Sequence, residues 1–102
     1  MILTDYFLAE HDIMWDYAKQ CGVEGAVVRL PEDGNFDVTN REHWRSIYDR
    51  FMSFGIRPVV IEPMPNELHS HIKAGDEKCD GSIEKVIKMF PHMRDFGINT
   101  IC

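Results

Sequence analysis

Three stretches of the chain repeat one arrangement of apolar and polar positions. They are Cys21-Gly22-Val23-Glu24-Gly25-Ala26-Val27-Val28-Arg29, Phe54-Gly55-Ile56-Arg57-Pro58-Val59-Val60-Ile61-Glu62 and Phe96-Gly97-Ile98-Asn99-Thr100-Ile101-Cys102. Each has an apolar residue or cysteine, a glycine, a β-branched residue, two spacers and a short apolar run. Glycine accepts the left-handed conformation that ends a helix. The β-branched residue then packs back on that helix, and the apolar run reads as a strand buried on both faces. The glycines are far enough apart for one βα unit each, with a longer loop in the second.

The segments before each glycine read as helices. Trp44, Ile47, Tyr48 and Phe51 form one apolar stripe, and Thr39 with Glu42 fits a capping box at its start. An earlier helix is expected from about His11 to Gln20, with Ile13, Met14, Tyr17, Ala18 and Cys21 inward. A later one starts near Ser82 and carries Ile83, Val86, Ile87 and Phe90. Pro91 is expected to kink or break it at a cost of roughly 3 kcal/mol, leaving a last turn over 92–96. Residues 2–8 make a first strand. The order is βαβαβαβ, an α/β class with a parallel sheet and right-handed crossovers.

Two architectures fit this order, an open doubly wound sheet and a (β/α)8 barrel. No glycine-rich phosphate loop follows a strand, which weakens the nucleotide-binding version. The longer polar connections, 31–40 and 63–80, follow strand ends, where barrels place their sites. The expectation is therefore a single partial domain over 1–102, the N-terminal portion of a (β/α)8 barrel truncated at the fourth strand.

Composition narrows the partners. Hydrophobic residues are 44% of the 102, enough to build a core. Eleven basic against 17 acidic residues give a formal charge of -6 with no basic patch, which argues against a nucleic-acid binder. No apolar run approaches a membrane span, and no secretory leader pattern opens the chain. Three unpaired cysteines, Cys21, Cys79 and Cys102, argue against a disulfide framework and fit a cytoplasmic protein.

The candidate chemistry lies at the strand ends. Glu62 closes an apolar strand, so its carboxylate is placed to bind hydroxyls, ligate a metal or move a proton. A surface acid or structural ion pair is the plainer alternative. Arg29 closes the preceding strand and could hold a carboxylate bidentately or form a structural salt bridge. His69 and His71 would share a face only on a strand, and two histidines are too few for a catalytic metal. Ligand contact by one of them is the better reading. Lys73 could meet an anionic substrate or stand solvated. Trp15 and Trp44 read as core, Cys21 as buried packing, and Cys79 as a loop thiol without a base.

The run Val60-Ile61-Glu62-Pro63-Met64-Pro65, then His69-Ser70-His71-Ile72-Lys73-Ala74-Gly75, resembles the mannonate dehydratase family. So does the later Gly-Ile step leading into Ile101-Cys102. The resemblance runs from about Ala18 to Cys102, with a longer loop after Glu62 and with Pro91 as departures. It implies a barrel of the xylose isomerase-like type that dehydrates D-mannonate to 2-keto-3-deoxygluconate. In such enzymes Mn²⁺ or Mg²⁺ binds the sugar acid and stabilises charge as the C2 proton leaves, and a general acid protonates the departing C3 hydroxyl. The family's metal ligands come from later strands, so no metal is expected on this segment and no activity from it alone. Glu62 and Lys73 map onto motif positions, and His69 does so more loosely. With Arg29 they form the expected substrate-binding set, and a homo-oligomer is compatible with the resemblance. The alternatives are a sugar isomerase or epimerase of the same barrel type, and a small non-enzymatic α/β module.

Overall fold

A computed structural model describes residues 3–31 and 35–102, apart from the side chains of Asn66, Glu67 and His69. The elements alternate as β1 (Thr4–Leu8), α1 (Ile13–Gln20), β2 (Gly25–Arg29), α2 (Arg41–Phe54), β3 (Arg57–Ile61), α3 (Asn66–Ala74), α4 (Cys79–Asp95) and β4 (Thr100–Ile101). The four strands form one parallel sheet in the order β1-β2-β3-β4. Among the described residues that order has no reversal point, and four parallel strands in sequence are common to part of a doubly wound sheet and part of a barrel. No described helix is long and apolar enough to cross a membrane.

The three glycine junctions share one geometry. Gly22, Gly55 and Gly97 have φ of 81°, 87° and 74°. Each glycine N–H donates to the carbonyl three residues back, and the next N–H to the carbonyl five residues back, as in Gly55 to Met52 and Ile56 to Phe51. This pair of bonds is the Schellman closure. It turns Val23, Ile56 and Ile98 inward, where all three are buried.

The core lies between the sheet and the helices. Phe7, Ala26, Val28, Pro58 and Ile61 point from the strands toward the helices and are buried. Trp15 of α1 stacks on Phe51 of α2 with centroids 4.1 Å apart, and Phe7 meets both rings edge-on. The indole of Trp15 donates to the Leu8 carbonyl at 3.2 Å, so its polar atom is satisfied. The other sheet face is bare. Tyr6 and Leu8 are exposed, and Val27 and Val60 are half-buried. Strands buried on both faces were expected, but within these residues only one face is covered. Between Ala26 and Val27 the β2–β3 register shifts by one residue, beside Pro58, which has no N–H for a regular ladder.

Several local expectations are corrected. The first helix begins at Ile13 with Asp12 as its cap, and buries Trp15 and Ala18. Ile13, Met14, Tyr17 and Cys21 are exposed. Apolar residues surround this short helix on most sides, and the largest, Trp15, takes the core position. At α2 the cap is Asn40, whose Oδ1 accepts from the Glu42 N–H at 2.9 Å, in place of a Thr39–Glu42 box. The last helix starts at Cys79 and runs unbroken through Pro91 to Asp95. Its buried side is Val86, Met89 and Met93 with Ser82, which leaves Ile83, Ile87 and Phe90 exposed. Pro91 sits on the exposed side, with the packed Met89 and Met93 on either side of it. Residues 66–74, expected as loop, form a helix closed by Gly75 at φ 62°.

Two glycine substitutions should have opposite signs. A Cβ at Gly55 meets the Lys19 ammonium and strains a left-handed residue, so Gly55→Ala should cost about 1–2 kcal/mol. Gly81 lies within α4 with nothing near its Cβ position, so Gly81→Ala should stabilise by about 0.5–1 kcal/mol. Urea unfolding of both variants measures the two effects, and equal signs would refute the assignment.

Candidate functional site

Register places the expected strand-end residues side by side. Leu8 pairs with Arg29, and Val28 pairs with Ile61, which pairs with Ile101. The ladder continues as the Glu62 N–H donates to Val28 at 3.0 Å and the Cys102 N–H to Ile61 at 2.9 Å. The rank after Phe7, Val28, Ile61 and Ile101 is therefore Leu8, Arg29, Glu62 and Cys102. Phe7, Val28 and Ile61 are buried toward the helices, so alternation turns the following rank to the bare face. Two ranks below it, on the same face, Tyr6, Val27, Val60 and Thr100 form a floor. Arg29 and Glu62 thus stand on neighbouring strands at the C-terminal rim of the sheet, a cation and an anion in one row.

Two loops frame this rim. After β3, the chain turns at a cis Glu62–Pro63 peptide, and the Met64 N–H donates to the Cys102 carbonyl at 2.8 Å. That bond ties the loop to the end of β4 before α3 begins. After β2, residues 35–40 are held on α2. Phe36 meets Trp44 edge-on at 5.3 Å, and the Trp44 indole donates to the Val38 carbonyl at 2.8 Å. The Asp37 N–H donates to His43 Nδ1, which fixes that nitrogen as the acceptor. The Asp37 carboxylate accepts from the Thr39 hydroxyl at 2.7 Å and its N–H at 2.9 Å. The hydroxyl bond first, then the amide bond, holds the Asp37 carboxyl below its ordinary range.

Other expected site residues lie elsewhere. Lys73 is exposed in the last turn of α3, on a different element from the Arg29–Glu62 row. His69 belongs to the same helix, but its side chain lies outside the described residues. Positions 69 and 71 fall on a helix and not on a strand, so the same-face i, i+2 relation of a strand does not apply. His71 instead pairs with Asp76, Nδ1 to Oδ2 at 2.7 Å, and that bond lowers the Asp76 carboxyl. Cys79 is the first residue of α4 and not a loop thiol. Among the described residues, no three His, Cys, Asp or Glu side chains come together to hold a metal ion. Tyr6, Leu8 and Cys102 were not singled out beforehand as neighbours of the row. The alternation of Tyr6, Phe7 and Leu8 carried the signal for the first two.

The amino-acid sequence of the chain matches a known enzyme family. The family model of D-mannonate dehydratase (UxuA) matches residues 2–102. The chain belongs to that family. It is also similar to the mannonate dehydratase of Bacillus subtilis (strain 168), at 31% identity over 88 residues. That match takes in 85% of this chain and 24% of the Bacillus protein, so the chain spans about a quarter of that relative's length. No solved structure matches the chain.

Acid titration should reveal how the β2–α2 loop is held. The folded pKa of Asp37 lies below the ordinary 3.8. Its contribution is present above that value and is lost as the pH falls through the lowered folded value. Asp37→Ala should therefore reduce the urea midpoint at about pH 6 and have progressively less effect toward about pH 2.5. A deficit that stays constant over this range would rule out the charged hydrogen-bonded form.

Proposed function

We propose that this chain is the N-terminal segment of a mannonate dehydratase-type (β/α)8 barrel, and that its rim binds the sugar acid. The observation that carries the reading is the Arg29–Glu62 row, in a chain matched by the family model over residues 2–102. Sequential strand order and a single helix-covered face support the barrel. A bare inner face lined by Tyr6, Leu8, Val27 and Val60 is what a closed barrel would enclose.

The chemistry follows from the two charges. The planar guanidinium of Arg29 can hold the carboxylate of D-mannonate through two parallel N–H donors. The Glu62 carboxylate accepts hydrogen bonds from the neighbouring hydroxyls, which fixes the sugar chain across the rim. His69 and Lys73, on the helix that follows the rim, are assigned as further substrate contacts. The reaction removes the proton from C2 and the hydroxyl from C3 of D-mannonate, giving 2-keto-3-deoxygluconate and water. A divalent ion, Mn²⁺ or Mg²⁺, supplies charge stabilisation in the whole enzyme. The described residues do not fit a resident metal, so this segment is assigned to positioning the substrate. The working site in this reading is cytoplasmic and sits in a longer polypeptide.

The chain by itself should give no turnover of D-mannonate with Mn²⁺ present. A chimera tests the positive claim, with this chain replacing the matching quarter of the Bacillus subtilis mannonate dehydratase. It should dehydrate D-mannonate, and Arg29→Gln or Glu62→Gln in it should each lower kcat/KM at least about tenfold, or about 1.4 kcal/mol. Turnover by the chain alone, or variants as active as the parent chimera, would sink the assignment.

A further inference from the structure

Two histidines hold the loop between β2 and α2, and they hold it with opposite chemistry. His92 of α4 lies 3.1 Å from the Thr39 carbonyl, so its Nε2 carries the hydrogen of that bond. A carbonyl only accepts, and neutral imidazole and imidazolium can both donate to it. His43 of α2 works the other way. Its Nδ1 accepts from the Asp37 N–H at 2.9 Å. A backbone N–H only donates, so Nδ1 is bare and His43 is neutral, with its hydrogen on Nε2. A proton added to His43 goes to Nδ1 and sets two N–H groups against each other. The other ties of the loop have no such sensitivity. The Trp44 indole donates to the Val38 carbonyl, the Asn40 N–H donates to the Asp37 carbonyl at 3.0 Å, and the Asn40 side chain caps α2.

The charges around the ring decide what an imidazolium does there. From the loop, the Asp37 carboxylate and the His43 ring interact through space. From α4, Lys85 acts on the same carboxylate, while His92 and Asp95 bond to Thr39 and Arg41. On α2 itself the flanking charges are Arg41 and Glu42. Both Thr39 bonds to Asp37 end on Oδ1, which among the described residues leaves Oδ2 for a new donor. Asp37 therefore offers His43 two groups, an amide hydrogen for the neutral ring and a carboxylate oxygen for the charged one.

We propose that His43 is a proton-driven switch of the β2–α2 loop. Neutral, it holds the Asp37 amide; charged, it releases the amide and takes the Asp37 carboxylate. Val38 and Thr39 stay on Trp44 and His92, so the change is confined to residues 35–37. Phe36 moves with it, because its ring meets His43 at 5.8 Å. These residues belong to the connection that leaves β2 after Arg29, so the switch works at the rim of the sheet. The amide bond is complete above the range in which imidazole changes charge, about pH 8 to 5, and is lost as the pH falls through it. The inference uses neither the barrel nor the sugar-acid reading.

Nitrogen NMR of the imidazoles, with amide exchange on the same chain, reads the switch directly. At about pH 8, His43 should carry its hydrogen on Nε2 and show a bare Nδ1. Between about pH 8 and 5 the protection factor of the Asp37 amide should fall about fivefold or more, the scale of one hydrogen bond, with the midpoint of the His43 ring. The Trp44 indole should keep its protection throughout. His43→Asn removes the titrating group and leaves an amide near the Nδ1 position, so the pH response of the Asp37 amide should vanish. A hydrogen on Nδ1 of the neutral ring overturns the proposal. So does an Asp37 amide that ignores the His43 titration, a Trp44 indole that loses protection in step with it, or a pH response that survives in His43→Asn.

Discussion

The structure depends on the closure of each helix by a left-handed glycine and an inward β-branched residue. Gly22–Val23, Gly55–Ile56 and Gly97–Ile98 each end a helix and aim the next strand. The two backbone bonds at each junction satisfy carbonyls that would otherwise be orphaned. The buried Val or Ile fixes how deep the helix sits on the sheet. Because the same closure occurs three times, each unit is added in the same direction as the last. One-sided layering follows, with the helices on one face and the other face bare.

That layering separates the packed core from the charged row. The packed face is aromatic and aliphatic, with Trp15, Phe51 and Phe7 in mutual contact and Ile56 and Ile61 fully buried. Its polar atoms are satisfied locally, as with the Trp15 and Trp44 indoles. The bare face carries the charged row at the strand ends. Substitutions in the row should leave the core untouched, and core substitutions reach the row only through strand position.

Much of this was legible in the sequence. The Gly-x repeat gave the strand positions and the direction of the chain, because a left-handed residue at a helix end leaves few alternatives. Glu62 and Arg29 were legible as strand-end charges for the same reason. Helix faces were less legible. In 13–20 and 79–95, apolar residues lie on more than one side, and the periodicity does not say which stripe meets the sheet. Trp15 and Met89 took the core positions, and Ile13 and Ile87 did not. The helix over 66–74 was hidden by two preceding prolines, although Leu68, Ile72 and Gly75 have the spacing of an inward stripe and a terminal glycine. Which residues share a row was not legible, because row membership depends on strand register.

The register shift beside Pro58 has a consequence for parity. Side chains alternate faces along a strand, so one extra residue reverses every later assignment. With unbroken pairing, Val59 would lie beside Val27 and Ile61 beside Arg29. Ile61 would then look onto the bare face, and Glu62 would be driven against the helices as an unpaired buried carboxylate. Because the shift adds a residue, Val60 takes the place beside Val27 and Ile61 the place beside Val28. An inserted step of one residue thus decides whether an acid is buried against the helices or stands on the bare face in one row with Arg29.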